Sequence, residues 1–286
     1  MGKKVGIILE GGAMRSIFTA GVIDFFLEKN IDIKNIIAIS AGAYAGMNYV
    51  SGQKGRVLDS VVKPMGSNRV LGLPVFLKTG EFFNMELLFD KIPKHDSPFD
   101  FEAFKNSGKR FITSTIDCNT GVPKYFDEFK DLDEFLHVIR VANSLPLLAK
   151  VGYIDGVPMM DGGMYDAIPL SKAKEEGWDK IIVVFTREKS YRKSADNDIY
   201  NSKMVKVLYH KYKGLLQSID GRPKRYNDSI EELEQMEKEG KAFVIRPEGV
   251  KLVNNESDPE KLTAFYNVGY ETAKARYAEL LSFLKD

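Results

Sequence analysis

The chain has 286 residues, 44% of them hydrophobic and 28% charged, with 41 Lys and Arg against 40 Asp and Glu. That length suits one large α/β domain with a sizeable core, and the composition is that of a globular protein rather than a disordered or fibrous one. A net charge of +1 gives no global attraction to nucleic acid, and a lone cysteine, Cys118, excludes an intrachain disulfide and a zinc-finger type of site, with a cytosolic setting as the default.

The first residues, MGKKVGIILEGGAM, carry two lysines and a short apolar run. Glu10 cuts that run far below the length of a signal-peptide core or a membrane span, so a first strand over residues 5–9 is expected. Met1-Gly2 suggests myristoylation, but Gly6 stands where that motif needs Ser or Thr. After a Gly-Gly turn, Phe18, Val22 and Phe26 recur at helical spacing. The unit repeats at once, with a strand over 36–39, Gly42 just past Ser40, and a helix over 43–50. Two such units predict a mostly parallel sheet covered by helices.

Further along, RFITSTID and VPKYF read as strands and DEFLHVIRVAN as a helix ended by Pro146. GYIDGVPMM reads as a hairpin turning at Asp155-Gly156. Pro169 suits the first turn of a helix that stops at Gly177, and KIIVVF is another buried strand, so the α/β alternation runs to about Phe185. Residues 70–89 are rich in Leu, Phe and Met; they either line or cap an apolar groove or, on the plainer reading, form a helix packed on the sheet. Residues 187–226 hold eleven Lys/Arg against four Asp/Glu and precede an acidic stretch. Two solvated helical faces that neutralise each other explain this, and contact with anionic lipid headgroups is the sharper alternative. The expected organisation is an α/β core over 1–186 and a mainly helical extension over 187–286 packed on the same domain.

Ser40 carries the first chemical signal. In Ala38-Ile39-Ser40-Ala41-Gly42 a strand precedes, a helix follows and the neighbours are small, as a nucleophile elbow requires. A tight structural turn has the same appearance. Only one strand precedes it, which does not fit the sheet order of α/β-hydrolases. That strand ends in EGGAMR, a glycine-rich turn opening a helix, whose free N–H groups favour negative charge. If the two strands are parallel neighbours, both turns emerge at one carboxyl edge, and an oxyanion hole would sit beside a serine. Read instead as a phosphate loop, the turn lacks both the GxGxxG and the GxxxxGK[ST] spacing. A close helix–strand crossing fits the small residues equally well.

A serine needs a base. His95 lies in a polar loop, His137 inside a predicted helix and His210 among lysines, so none has a turn-presented setting, although a triad through His210 stays open. Asp161 follows an apolar stretch and precedes two glycines, which would hold a carboxylate at the end of an element. Turn chemistry alone explains Asp155.

Taken together, EGGAMRSIFTAGVIDFF, AISAGAYAG, RVANSLPLL and MMDGG occur in the order and contexts of the patatin-like phospholipases, which the chain resembles over roughly residues 4–185. The resemblance implies a three-layer α/β fold with a mostly parallel central sheet flanked by helices, followed here by a helical C-terminal region. It also implies lipid acyl hydrolysis of the phospholipase A or lysophospholipase type by a Ser-Asp dyad. Ser40 matches the nucleophile and Asp161 the aspartate of the DG[AG] motif. Gly11, Gly12 and Ala13 match the oxyanion hole, with Arg15, Gly42 and Gly162 in support. No metal or organic cofactor is implied; the partner would be a lipid or other acyl ester, any membrane contact would be peripheral, and oligomeric state is not indicated. Ala13, Ser16 and Ala38 replace three of the family's glycines, and Glu10 stands where its commonest form has Asp. If position 13 needs φ > 0, the methyl costs about 1 kcal/mol or more. A non-catalytic lipid-binding protein of the same fold and a nucleotide-binding protein are the alternatives.

Overall fold

Short runs of β-branched and aliphatic residues, most of them ended by Gly, Asp or Ser, alternate with longer stretches of helical period, and the strands follow those runs. The computed structural model describes residues 3–67, 69–196 and 198–285. Met1 and Gly2, on which the myristoylation reading falls, lie outside the described residues. The strands are β1 (Val5–Leu9), β2 (Asn35–Ala38), β3 (Arg110–Asp117), β4 (Pro123–Phe126), β5 (Gly152–Ile154), β6 (Val157–Asp161), β7 (Lys180–Val184) and β8 (Ala242–Ile245). The α-helices are α1 (Ile17–Glu28), α2 (Ala41–Ser51), α3 (Lys63–Met65), α4 (Leu73–Thr79), α5 (Phe101–Asn106), α6 (Leu132–Ala142), α7 (Leu170–Glu175), α8 (Lys203–Leu208), α9 (Lys213–Lys238), α10 (Pro259–Ala275) and α11 (Tyr277–Lys285).

All eight strands form one mixed sheet in the order β5-β6-β3-β2-β1-β7-β8, with β4 also paired to β3. From β3 through β2, β1 and β7 to β8 every pairing is parallel. Strands buried on both faces read as unbroken apolar runs. Ile7, Leu9, Ile36, Ala38, Ile182 and Val184 meet one apolar layer with α1, α2 and α10. Ile8, Ile37, Ile181 and Val183 point the other way, against Trp178 and the Tyr226, Ile230 and Leu233 stripe of α9. Three layers result. The C-terminal region is helical over α9–α11 but also adds β8 to the sheet edge, which the sequence reading did not contain. Its α10 crosses α1 closely, since a Cβ at Gly21 would lie 2.0 Å from the Tyr266 carbonyl oxygen and one at Gly269 2.0 Å from that of Phe18.

One arrangement on β3 positions the site. Thr115 and Ile116 pair with both β4 and β6, and Thr113 pairs with both β2 and β4. A strand has two edges, so β4 occupies one, and β2 and β6 share the other end to end. β2 covers Arg110 to Thr113 and β6, running the opposite way, covers Thr115 to Asp117. The carboxyl ends of β2 and β6 therefore face each other.

The stretch 70–89 is not one helix on the sheet. It breaks at Gly80 (φ 71°), a short bridge joins Leu71 to Phe83, and the chain then enters a π-helical segment, Leu87–Asp96, that contains Pro93. Leu73 and Leu77 on α4 are 66% and 77% exposed.

Candidate active site

The Ile39 N–H still bonds the Leu9 carbonyl at 3.0 Å, so the chain leaves the sheet only at Ser40. Ser40 has φ 56° and ψ −134°, a conformation L-residues rarely adopt, and α2 starts at the next residue. Such a residue costs about 1–3 kcal/mol and persists only where its surroundings impose it. Here they do: the Gly42 N–H bonds the Ile39 carbonyl and the Ala43 N–H that of Ser40, at 2.9 and 2.8 Å. A Cβ at Gly42 would lie 2.5 Å from the Leu9 carbonyl oxygen, so this position needs glycine. The methyl of Ala38 finds room because Gly46 lies over it on α2, where a Cβ would stand 3.1 Å from that methyl.

Because β1 and β2 are parallel neighbours, the glycine-rich turn emerges beside Ser40. A Cβ at Gly11 would lie 2.5 Å from the Cβ of Ser40. The turn is anchored by Glu10, which is buried and accepts hydrogen bonds from the Thr186 N–H (2.7 Å), the Thr186 hydroxyl (2.9 Å) and the Tyr226 hydroxyl (2.9 Å). The glutamate's extra methylene thus reaches partners on the β7 exit and on α9. Past it, the N–H groups of Gly11, Gly12 and Ala13 donate to no acceptor among the described residues, whereas that of Met14 bonds the Asn254 carbonyl at 3.2 Å. Ala13 has φ 49°, so its methyl is strained. Ala13→Gly is therefore expected to raise unfolding stability by about 1 kcal/mol; a loss of stability in urea denaturation would contradict this.

Asp161 ends β6 and is fully buried. Its N–H bonds the Ser144 carbonyl at 3.0 Å, which ties it to the NSLP turn, and its Oδ1 accepts the Gly163 N–H at 2.8 Å. Oδ2 completes no hydrogen bond among the described residues. Burial raises the carboxyl pKa to about 6, while the neighbouring Ser40 hydroxyl, the Gly163 N–H and the Arg222 guanidinium each pull it part of the way back. Gly162 is packed on β3, where a Cβ would lie 2.1 Å from the Ser114 hydroxyl oxygen.

Two cavities meet at Ser40, which is 6% exposed. One is narrow and apolar, walled by Met14, Ile17, Val61, Met85, Leu88 and Phe89; Ser16 and Tyr44, whose buried hydroxyls have no hydrogen-bond partner among the described residues, also line it. The C-terminal part of the 70–89 stretch thus lines this groove. The other cavity, of about 370 Å³, is polar and brings Gly11, Gly12, Ala13, Arg15, Ser40 and Asp161 together. Neither cavity is lined by a histidine. His95, His137 and His210 are exposed, with His137 Nε2 on the Tyr153 carbonyl and His210 Nδ1 on that of Val207. Asp155 is exposed at the hairpin tip with φ 52°.

The residues that sequence reasoning missed come from beyond β7. The described residues of 187–198 carry no helix, and Arg187, Lys193 and Arg222 line the polar cavity instead of neutralising an acidic helix. Arg222 on α9 donates to the Gly163 carbonyl at 2.8 Å and pairs with Asp198 at 2.6 Å, which clamps the turn behind Asp161. The excess of basic residues was the only trace of this in the sequence.

Fold and site together define an α/β protein with a serine on a strained strand-to-helix turn, a glycine-rich turn beside it and a buried carboxylate opposite. A family model described as patatin-like phospholipase matches residues 7–174, and the chain belongs to that family, whose members are in general serine hydrolases acting on lipids. A second model, a domain of unknown function (DUF6363), matches residues 212–285. The uncharacterized protein YjjU of Escherichia coli (strain K12) is 26% identical over 188 residues, which cover 64% of this chain and 52% of that protein. The chain thus spans about half the length of this curated relative. The crystal structure of VipD from Legionella pneumophila is similar in fold, with a TM-score of 0.50 and 14% identity, covering 99% of this chain and 67% of that one.

Proposed function

We propose that the protein hydrolyses carboxylic esters of lipids, as a phospholipase A or lysophospholipase, through an acyl-Ser40 intermediate. One observation carries the reading: a serine held at positive φ lies between an apolar cavity and a polar one, with Asp161 and three free backbone N–H groups in the same cavity. Ser40 Oγ attacks the ester carbonyl as its proton passes to Asp161; the N–H groups of Gly11, Gly12 and Ala13 hold the oxyanion. The carbon–oxygen bond to the alcohol then breaks and the alcohol leaves with that proton. Water, deprotonated by Asp161, then adds to the acyl carbon; the bond to Ser40 Oγ breaks, Oγ takes the proton back from Asp161, and the fatty acid is released. Oδ2 of Asp161, which accepts no hydrogen bond among the described residues, is free to take that proton.

On this reading residues 1–186 form the catalytic core and 187–286 an extension that completes its polar wall. The setting is cytosolic. Any membrane contact is peripheral, supported by exposed Leu73 and Leu77 on α4 near the apolar cavity; no helix among the described residues is long and apolar enough to cross a bilayer. The purified protein is expected to release p-nitrophenol from a butyrate ester and fatty acid from single-chain lipids. Vesicle binding with no release across a panel of chain lengths would favour the non-catalytic lipid-binding alternative.

A further inference from the structure

Five cationic side chains, Arg15, Arg187, Arg192, Lys193 and Arg222, line the polar cavity, against Glu10, Asp161 and Asp198. Two have carboxylate partners: Arg222 pairs with Asp198, and Arg192 with Glu234, at 2.8 Å. Arg15, Arg187 and Lys193 have none within ion-pair distance among the described residues, and both oxygens of Glu10 are taken by Thr186 and Tyr226. Arg15 Nε is buried without a hydrogen-bond acceptor. Burial and the nearby Arg187 lower the Arg15 pKa to about 10, and burial together with Arg222 pushes the Lys193 ammonium well below the ordinary lysine value. Cations that outnumber the carboxylates of a partly desolvated site are costly, and an anionic ligand offsets that cost.

The aromatic faces in the cavity are already covered. Arg187 lies 4.3 Å over the Tyr191 ring and Arg222 5.2 Å over that of Tyr200. A quaternary ammonium would need such faces and would meet like charge there. A phosphate would meet guanidinium and ammonium donors instead. Ser40 lines both cavities, so with a hydrocarbon chain in the apolar one, the alcohol half of the ester extends into the cationic one.

We propose that Arg15, Arg187, Lys193 and Arg222 form a phosphate-binding site for the leaving group, which selects acyl substrates whose leaving group ends in a phosphate monoester over neutral or zwitterionic ones. The proposal rests on the acyl-Ser40 reading. It also gives the segment after β7 a role: Arg187 and Lys193 lie between the two spans matched by family models, and Arg222 lies within the second.

The test compares kcat/KM for lysophosphatidic acid, lysophosphatidylcholine and monoacylglycerol of one chain length. The phosphomonoester is expected to exceed both others by tenfold or more. In Arg187→Gln/Lys193→Gln that ratio is expected to fall to about threefold or less, while Arg187→Lys, which keeps the charge, retains most of it. Hydrolysis with no preference in the wild type, or a ratio unchanged in the double variant, would overturn the proposal and leave the ester-hydrolase reading intact. An acyl-CoA arm distinguishes the source of phosphate: tenfold faster turnover than lysophosphatidic acid would assign the site to a thioester carrier. Calorimetric titration of glycerol 3-phosphate, against glycerol, into Ser40→Ala separates the two claims. Binding that weakens at least tenfold when Arg187 and Lys193 are replaced supports the site even if no ester is cleaved, and equal binding of the two ligands would contradict it.

Discussion

Ser40→Ala is expected to lower kcat/KM on a carboxylic ester by about 10⁴-fold or more, Asp161→Asn by a comparable factor, and the double variant by little more than either alone. Groups that act as one unit are not additive, because removing the base leaves the hydroxyl a poor nucleophile and removing the hydroxyl leaves the base nothing to deprotonate. The proposed oxyanion donors are backbone groups that both changes leave in place, so a residual rate above that of water is expected. His210→Ala, in an exposed side chain outside both cavities, is expected to change the rate less than twofold. Steady-state kinetics on a p-nitrophenyl ester measures all four proteins. A double variant losing the product of the two single losses would show that Ser40 and Asp161 act separately, and a large loss in His210→Ala would restore the triad.

Asp161→Asn is also expected to stabilise the fold, by about 3 kcal/mol at pH 8. Burial raises the native carboxyl pKa to about 6 from an ordinary value near 3.8. The native state therefore holds this proton more tightly than the unfolded chain does. Its contribution to stability is fully present below the unfolded pKa and is lost as pH rises through about 6. Above that, the wild type bears a buried carboxylate that the amide variant lacks, so the variant's advantage is greatest there and fades below about pH 4. Urea denaturation at pH 4 and pH 8 reads the difference directly; a variant less stable than the wild type at pH 8 would contradict the account. On the proposed mechanism the same ionisation sets the rate, and kcat/KM of the wild type is expected to fall below about pH 6.

What the sequence disclosed follows from range. β1 is an apolar run and β3 a run rich in β-branched residues, each bounded by charged or turn residues, and Val5–Leu9 and Arg110–Asp117 coincide with the strands expected. Asp155-Gly156 turns its hairpin because both residues adopt positive φ, at 52° and 75°. β8 escaped because four apolar residues, Ala242–Ile245, have no period that separates a strand from the end of a helix. The π-helical segment Leu87–Asp96 likewise has no period of its own to read. At the site, the glycine turn and the elbow were legible as local signals, and their adjacency followed from two consecutive βα units. The meeting of β2 and β6 on one edge of β3 was not, since it depends on long-range pairings, such as Ala38 with Thr113 and Thr115 with Asp161, that no local pattern encodes. The cationic wall was hidden for the same reason: the described residues of 187–198 have no repeating structure, and Arg222 sits on a helix whose apolar stripe announces only its packing face.

The central claim is that Ser40 is a nucleophile that becomes covalently acylated. Treating the native protein with a fluorophosphonate and mapping the adduct by peptide mass spectrometry tests it most directly. One adduct per chain is predicted, on the peptide containing Ser40, and it should be absent from Ser40→Ala and strongly slowed in Asp161→Asn. An unmodified Ser40 in a folded protein that still cleaves esters, or an adduct on another residue, would contradict the account.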